Sequence, residues 1–419
     1  MIKQISKFVF CILIIVSIAS CGQKKVNKDG KVHLRIGIWA SSPAEAQLLD
    51  NQIAAFEKKY PKIKVVKQIA VGNFNEWLQI NVASGTAPDL TYIDSGLAKD
   101  YISYGVFKSL NDFFTPDELK AFYPNLLDGF TVDGKVYGIP KDFNTLVMYY
   151  NKDMLKTIGM DHPPETWKEL DSTLEKLQKA GKEGKLGKKF MYPMSTTMQW
   201  NRINPFILQN GGTTYADDKL QFDSNAAAEA IDYFFSLVKK GYIVDPAQMG
   251  NPSLGTVLAE GNTAIVYSGG WQIPYLKEAA PKLNYGIAEL PRHKKRGSIL
   301  YTVAYAMLAK TEYPKETALL LKFITDTECE KMTAKSGLAV PSRIKVADYF
   351  AKAFPARKAL KTMADYSVVF CWGKGQQRIN KELDTIIERM YINYTLGDKS
   401  MKAKPLLNAT MESLQYAAH

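Results

Sequence analysis

Cysteine and histidine are scarce in this 419-residue chain, with four of each. So few cysteines exclude a disulfide scaffold. The histidines, at positions 33, 162, 293 and 419, lack the spacing of a metal site. Glycine and proline together make up only about a ninth of the residues, which excludes a collagen-like or linker-dominated protein. No His-Glu-x-x-His, no Gly-x-Ser-x-Gly and no Walker loop is present, so no signature of hydrolase or nucleotide chemistry is found. Nothing asks for a cofactor or a metal, and no internal repeat is visible.

What is present is a long chain of ordinary globular composition. Hydrophobic residues make 46% and charged residues 23%, and the length predicts two or three domains. The formal net charge of +12 is spread along the sequence. Its densest basic run is Arg292-His293-Lys294-Lys295-Arg296, without interleaved aromatics, so it reads as a solvated loop and not as a nucleic-acid surface.

The N-terminus reads as an export signal. Lys3 and Lys7 precede an apolar run from Phe8 to Ile18 broken only by Ser17, and small residues follow. The run is shorter than the ~20 residues of a permanent membrane span. Ile18-Ala19-Ser20-Cys21 resembles a bacterial lipobox, which implies cleavage after residue 20 and lipid attachment at Cys21. Acyl chains on Cys21 would hold the protein to a membrane, since each buried methylene contributes about 0.8 kcal/mol. Residues 21–31 then form a polar, Lys-rich tether. The remaining thiols, Cys329 and Cys371, could bridge in an oxidising compartment, but nothing in their spacing favours pairing over two buried, unpaired cysteines.

Beyond the tether, strand and helix patterns alternate. Val32–Trp39 reads as a strand, Ala44–Lys59 as a helix stopped by Pro61, and Ile63–Ala70 as a strand. Phe74–Ser84 reads as a helix ended by Gly85, and Asp89–Ile93 as a third strand. This order implies a parallel sheet with crossover helices, whose ligands sit at the carboxyl ends of strands. The loops 40–45 and 94–96 are therefore the first places to look for a site. A second α/β region follows. Its strands are predicted at Thr145–Tyr150, Ala264–Tyr267 and Tyr301–Ala309. Its helices are predicted at Trp167–Ala180, Pro205–Asn210, Ala226–Lys239, Lys315–Asp326, Ile379–Tyr394 and Pro405–Tyr416.

Several segments in a fixed order carry a resemblance. They include Ala54-Ala55-Phe56-Glu57-Lys58-Lys59-Tyr60-Pro61, Ala83-Ser84-Gly85-Thr86-Ala87-Pro88-Asp89, Val136-Tyr137-Gly138-Ile139-Pro140 and Met148-Tyr149-Tyr150-Asn151-Lys152. Pro163-Pro164-Glu165-Thr166-Trp167, Gly261-Asn262-Thr263-Ala264-Ile265, Gly269-Gly270-Trp271 and Ser336-Gly337-Leu338-Ala339-Val340-Pro341-Ser342 complete the series. In this order the chain resembles the extracellular solute-binding protein family 1, the maltose-binding-type, sugar-binding lipoproteins of ABC importers. The resemblance implies an α/β, two-lobed periplasmic-binding-protein fold of type II, with three hinge crossings and a ligand cleft between the lobes. Carried over, lobe 1 is 32–140 plus 300–340 and lobe 2 is 141–299 plus 341–419. Hinges fall near 139–144, 290–301 and 339–343.

A sugar presents apolar C–H faces and a rim of hydroxyls, so its site needs aromatic platforms and matched donors and acceptors. The resemblance places Trp271 with Gly270 first among the ligand contacts, since the family sets a stacking Trp at that strand end. Trp372, Trp39 and Trp200 are further aromatic candidates; Asn201 and Arg202 adjoin the last. Asp94 and Ser95 follow the third strand, and Asp142 and Asn144 lie at the first hinge. Glu45 opens the first helix, where it touches ligand or serves the helix dipole. Asn210 and Tyr301 complete the set.

The function implied is a lipid-anchored, monomeric, extracytoplasmic receptor. It captures a carbohydrate and delivers it to ABC permease subunits, without enzymatic activity and without nucleic acid as a partner. The same fold admits a non-sugar solute such as a polyamine or a phosphorylated polyol, or a role as a ligand sensor. A secreted glycoside-active enzyme is the remaining class; it would need two carboxylates about 5–9 Å apart, and no signature singles them out.

Overall fold

A computed structural model of the chain describes residues 27–39, 42–217 and 219–416. The predicted signal, Cys21 and positions 40–41 of the first candidate loop lie outside the described residues. Among those described, most strands fall into two sheets, one of seven strands and one of five. The larger runs Val340–Pro341, Gly138–Thr145, Ser298–Met307, Leu90–Asp94, Val32–Ile38, Ile63–Ile69, with Ser367–Val369 also paired to Ser298–Met307. The smaller runs Ile243–Val244, Tyr192–Ser195, Thr263–Ser268, Val147–Asn151, Tyr285–Ala288.

The first three strands are parallel, with Val32–Ile38 between the other two. Crossover helices link them, and local chemistry sets their ends. Pro43–Lys59 starts on Pro43 behind Ser42, whose Oγ accepts the Glu45 N–H at 3.2 Å. Phe74–Ser84 is capped by Asn73 and stops at Gly85, which sits at φ 74°, a left-handed turn that costs glycine nothing. Ser298–Met307 and Gly138–Thr145 then add antiparallel, so the first sheet is mixed. The buried residues form separate clusters, one of which joins the second sheet to Phe143, Ile299 and Leu300 of the first. Val32, Leu34, Ile36, Leu90 and Tyr305 belong to one buried cluster, and Val147, Met148, Ile265 and Val266 to another.

The structure departs from the sequence-based elements in three places. The apolar run at Thr145–Tyr150 is two strands and not one. Gly138–Thr145 pairs with Ser298–Met307, and after Leu146 the chain enters the second sheet as Val147–Asn151. Residues 141–145, expected in the second lobe, thus lie in the first sheet, because the strand stays paired with Ser298–Met307 through Thr145, burying Ile139 in one cluster and Phe143 in another. Ser367–Val369, also expected in the second lobe, pairs parallel to Ser298–Leu300 in the first sheet. The helix predicted from Pro205 begins instead at Trp200 and keeps Pro205 inside. Burial of Trp200, Ile203, Phe206 and Ile207 outweighs the helix-breaking proline. Cys329 and Cys371 are free. Among the described residues, no helix is long and apolar enough to cross a membrane.

Candidate functional site

A cavity of about 330 Å³ lies where the carboxyl ends of the first sheet's parallel strands face the second sheet's helices. Strand alternation builds most of one wall. Tyr92 and Asp94 stand two residues apart on one strand, and Tyr301, Val303 and Tyr305 two apart on its antiparallel partner. Trp39 closes this wall, its ring edge-on to Tyr92 at 5.1 Å and to Phe74 at 4.8 Å. Across from it, the strand Thr263–Ser268 runs into Gly269, Gly270 and Trp271, at the start of the helix Gln272–Ala279. Trp271 is 37% exposed, meets Tyr301 edge-on at 5.7 Å, and has the Arg202 guanidinium 5.7 Å from its ring.

A charged trio occupies the Trp39 end. Lys141 Nζ donates to Glu45 Oε1 at 3.2 Å and to Asp142 Oδ2. It also lies 5.2 Å from the centre of the Tyr92 ring. Burial works against the ammonium, but Asp142 and then Glu45 outweigh it and hold the Lys141 pKa well above its ordinary value. Lys141 and Asp142 are sequence neighbours and would point to opposite faces of a regular strand. A bulge lies opposite Val303 and Ala304, with Lys141 left out of the pairing, and this brings both side chains to the cavity.

At the other end the polar groups are less satisfied. Arg202 Nε and Nη1 and the Tyr301 hydroxyl are buried with no hydrogen-bond partner among the described residues. Burial pushes the Tyr301 phenol up to about 12, against the pull of Arg202. Burial also pushes Asp94 up to about 6, although its Oδ1 accepts the Gly96 N–H at 2.7 Å and so caps the helix Ser95–Ser103. Asn144 Oδ1 accepts the Gly270 N–H at 3.0 Å, tying the first sheet to the Trp271 turn. Its amide nitrogen is thereby aimed differently from the bound oxygen, as the planar group requires.

Eight of the residues singled out from sequence therefore line one cavity: Trp39, Glu45, Asp94, Asp142, Asn144, Arg202, Trp271 and Tyr301. Gly270 adjoins it through Asn144. The structure places the others elsewhere. Ser95 is buried and donates to the Phe370 carbonyl at 3.0 Å. Trp200 is buried, its indole N–H spent on Thr214 Oγ1 at 2.9 Å, and Asn201 follows it on the same helix, outside the cavity lining. Asn210 caps the end of that helix and donates to the Ala226 carbonyl at 2.7 Å. Trp372 is buried, with its indole N–H on Asn380 Oδ1 at 2.8 Å, and borders a separate groove with Lys99 and Tyr215. These aromatic rings were candidates for stacking, but their faces are taken up by core packing. Lys141, Tyr92 and Tyr305 were not foreseen. Period-two alternation from Asp94 and Tyr301 carries a signal for the tyrosines; no local signal reports the bulge that admits Lys141.

Known proteins are similar to this chain in sequence and in fold. The family model for bacterial extracellular solute-binding proteins matches residues 51–362. The chain is 25% identical over 361 residues to a galactooligosaccharide-binding protein of Bacillus subtilis, covering 82% of this chain and 81% of the relative. It is 29% identical over 290 residues to a maltodextrin-binding protein of the same organism, covering 66% of this chain and 64% of that one. In structure it is similar to an ABC substrate-binding protein from Listeria monocytogenes in complex with cycloalternan. The TM-score is 0.80 at 20% identity, over 93% of this chain and 99% of that one. It is also similar to a cyclic alpha-maltosyl-1,6-maltose binding protein from Arthrobacter globiformis, with a TM-score of 0.78 at 17% identity, over 92% of this chain and 99% of that one. These likenesses establish the two-lobed, type II binding-protein fold.

Proposed function

The chain belongs to the bacterial extracellular solute-binding protein family, and from that premise we propose that it captures a carbohydrate outside the cytoplasmic membrane and hands it to an ABC permease. One observation carries the reading: a cavity between the two sheets has tryptophans on opposite walls, Trp39 and Trp271, with acceptors and donors arranged between them. Rings of this kind cover the C–H faces of a sugar, while Asp94, Asn144, Arg202 and the Glu45–Lys141–Asp142 trio meet its hydroxyls. The relatives named for galactooligosaccharides and maltodextrins favour an oligosaccharide. The protein binds its solute without transforming it. Glu45 and Asp142 share one lysine, so neither is poised as the free acid or base that glycoside cleavage needs.

The two lobes close on the ligand by bending where the chain passes between the sheets, near Leu146 and around residues 290–298, and at the third hinge near 339–343. Closure is favoured by the contacts a ligand makes with both walls at once. A lipid on Cys21 and the polar tether keep a monomer of the receptor at the membrane.

The test is a thermal-shift screen of the purified protein against galactooligosaccharides, maltodextrins, monosaccharides, polyamines and phosphorylated polyols. A ligand at 100 times its Kd stabilises by about 2.7 kcal/mol, an easily read shift. Stabilisation by a saccharide that is recovered intact is the expected result. Stabilisation by polyamines alone, or consumption of the sugar, would overturn the reading.

A further inference from the structure

The strand Val340–Pro341 and the residue after it, Ser342, lie against the strand Gly138–Thr145, which also carries part of the cavity wall. The Ser342 Oγ sits 2.6 Å from the Pro140 carbonyl oxygen. A carbonyl oxygen only accepts, so the single hydroxyl proton of Ser342 is committed there. The same Oγ lies 3.0 Å from Glu330 Oε1, while Glu330 Oε2 accepts the Ser342 N–H at 2.9 Å. An ionised Glu330 would set a lone pair against Oγ with no proton between them. A neutral Glu330 completes the chain: Oε1–H donates to Oγ, and Oγ–H donates to Pro140. Glu330 is 1% exposed, and among the described residues no cation stands within ion-pair distance of it.

We propose that Glu330 is a positioning residue carried as the neutral carboxylic acid, a proton-bearing clasp that fastens Ser342 to the Gly138–Thr145 strand, and that its ionisation loosens this wall of the cavity. Pro140 immediately precedes Lys141 and Asp142, and Ala339, three residues before Ser342, lines the same cavity. The clasp thus holds two cavity-lining segments in register.

The surroundings agree. Burial pushes Glu330 up to about 8 and Asp142 pushes further up, while the Ser342 hydroxyl pulls down only where its proton turns from Pro140 to Glu330. Asp142 faces it from the neighbouring strand and Tyr305 from the next. Arg343 pulls the other way, first through its backbone N–H on Glu330 and then through the charge of its guanidinium, whose Nε donates to the Thr325 carbonyl at 2.6 Å. On its own helix lie Cys329 and the exposed Glu328–Lys331 pair. From the helix Pro43–Lys59 the uncharged Gln52 donates to the Cys329 carbonyl at 3.1 Å. The helix Ile344–Ala353 adds Lys345 and an Asp348 that faces Lys361 at 3.4 Å.

The experiment needs no ligand, so it stands apart from the sugar assignment. The whole protein and Glu330→Gln are unfolded in urea from pH 5 to pH 9. Glutamine keeps both contacts, its N–H to Oγ and its carbonyl to the Ser342 N–H, but holds no titratable proton. The raised acid stabilises the fold below its unfolded pKa, and that contribution is lost as pH rises to about 8. Relative to the variant, the wild-type unfolding constant should therefore rise up to tenfold per pH unit across about pH 5 to 8 and then level. Small-angle scattering should show the wild type expanding above that pH while Glu330→Gln keeps its shape. Parallel unfolding curves would overturn the neutral acid, and a pH-invariant wild-type shape would overturn the clasp. If Glu330→Gln does not fold, carboxyl-labelled glutamate in the wild type decides by NMR. One glutamate titrating near 8 supports the proposal, and all titrating in the ordinary range refutes it.

Discussion

Replacing Trp271 by alanine isolates the ligand platform from the fold. Trp271 is 37% exposed, so with roughly 250 Å² for a large aromatic side chain at most about 90 Å² is open to a ligand. Covering that area with a sugar face contributes about 2 kcal/mol at ~25 cal/mol per Å². Oriented stacking adds about 1 kcal/mol. The sum, about 3 kcal/mol, corresponds to a little over two decades in Kd. The fold should feel much less. The indole sits over Gly269 and meets Tyr301 and Arg202, but it is not enclosed by the core of either sheet.

Isothermal titration with the best saccharide from the screen measures the first quantity, and a urea melt the second. An affinity loss near a hundredfold with stability within about 1 kcal/mol of wild type is expected. An unchanged Kd would remove Trp271 from the site. A large stability loss with proportionate loss of binding would mean that the ring serves the fold.

Three further outcomes follow from the same geometry. Trp372→Ala should cost about 3–5 kcal/mol in urea unfolding, because it empties a buried site, yet leave the Kd of the folded fraction nearly unchanged. Lys141→Met should destabilise by about 3 kcal/mol by leaving Glu45 and Asp142 facing each other with side chains only 19% and 11% exposed; an unchanged melt would refute the trio as a paired unit. Asp94→Asn keeps the helix cap, since asparagine caps as well as aspartate. Asp94 is raised to about 6, so the wild type loses stability as pH climbs from the ordinary aspartate value to about 6. At pH 7 the variant should therefore be at least as stable, while sugar binding weakens about 10- to 100-fold and no longer falls below pH 6.

The fold was legible where its causes are local. Ser42, Pro43 and Lys59 bound one helix, Asn73 and Gly85 another, and the alternation of Val32, Leu34 and Ile36 marks a strand; each signal lies within a few residues of its effect. Errors arose where distant partners decide. Nothing near Ser367–Val369 announces a place beside Ser298–Leu300, because parallel pairing is read only from the partner strand. Pro205 misled for a related reason: local propensity argued for a helix start, and burial of Trp200 and Ile203 against the second core overrode it.

The site divides along the same line. Trp271, Asp94 and Trp39 sit at strand ends, and in an α/β sheet the carboxyl ends of strands face the ligand whatever the side chains are. Their position follows from topology, so it could be read early. Trp200 and Trp372 share the residue type but not the position, and both are buried with their indole N–H groups spent inside the protein. Composition alone therefore overstates aromatic sites, and the strand-end criterion corrects it. Lys141 is the opposite case. Its place in the cavity depends on one extra residue in a strand, and the bulge is set by pairing with Val303 and Ala304, some 160 positions later. The charge balance at the Trp39 end of the cavity rests on that single irregularity. A Lys141 deletion that restores regular pairing should therefore return Asp142 to an unpaired state and cost ligand affinity even where the sheet itself survives.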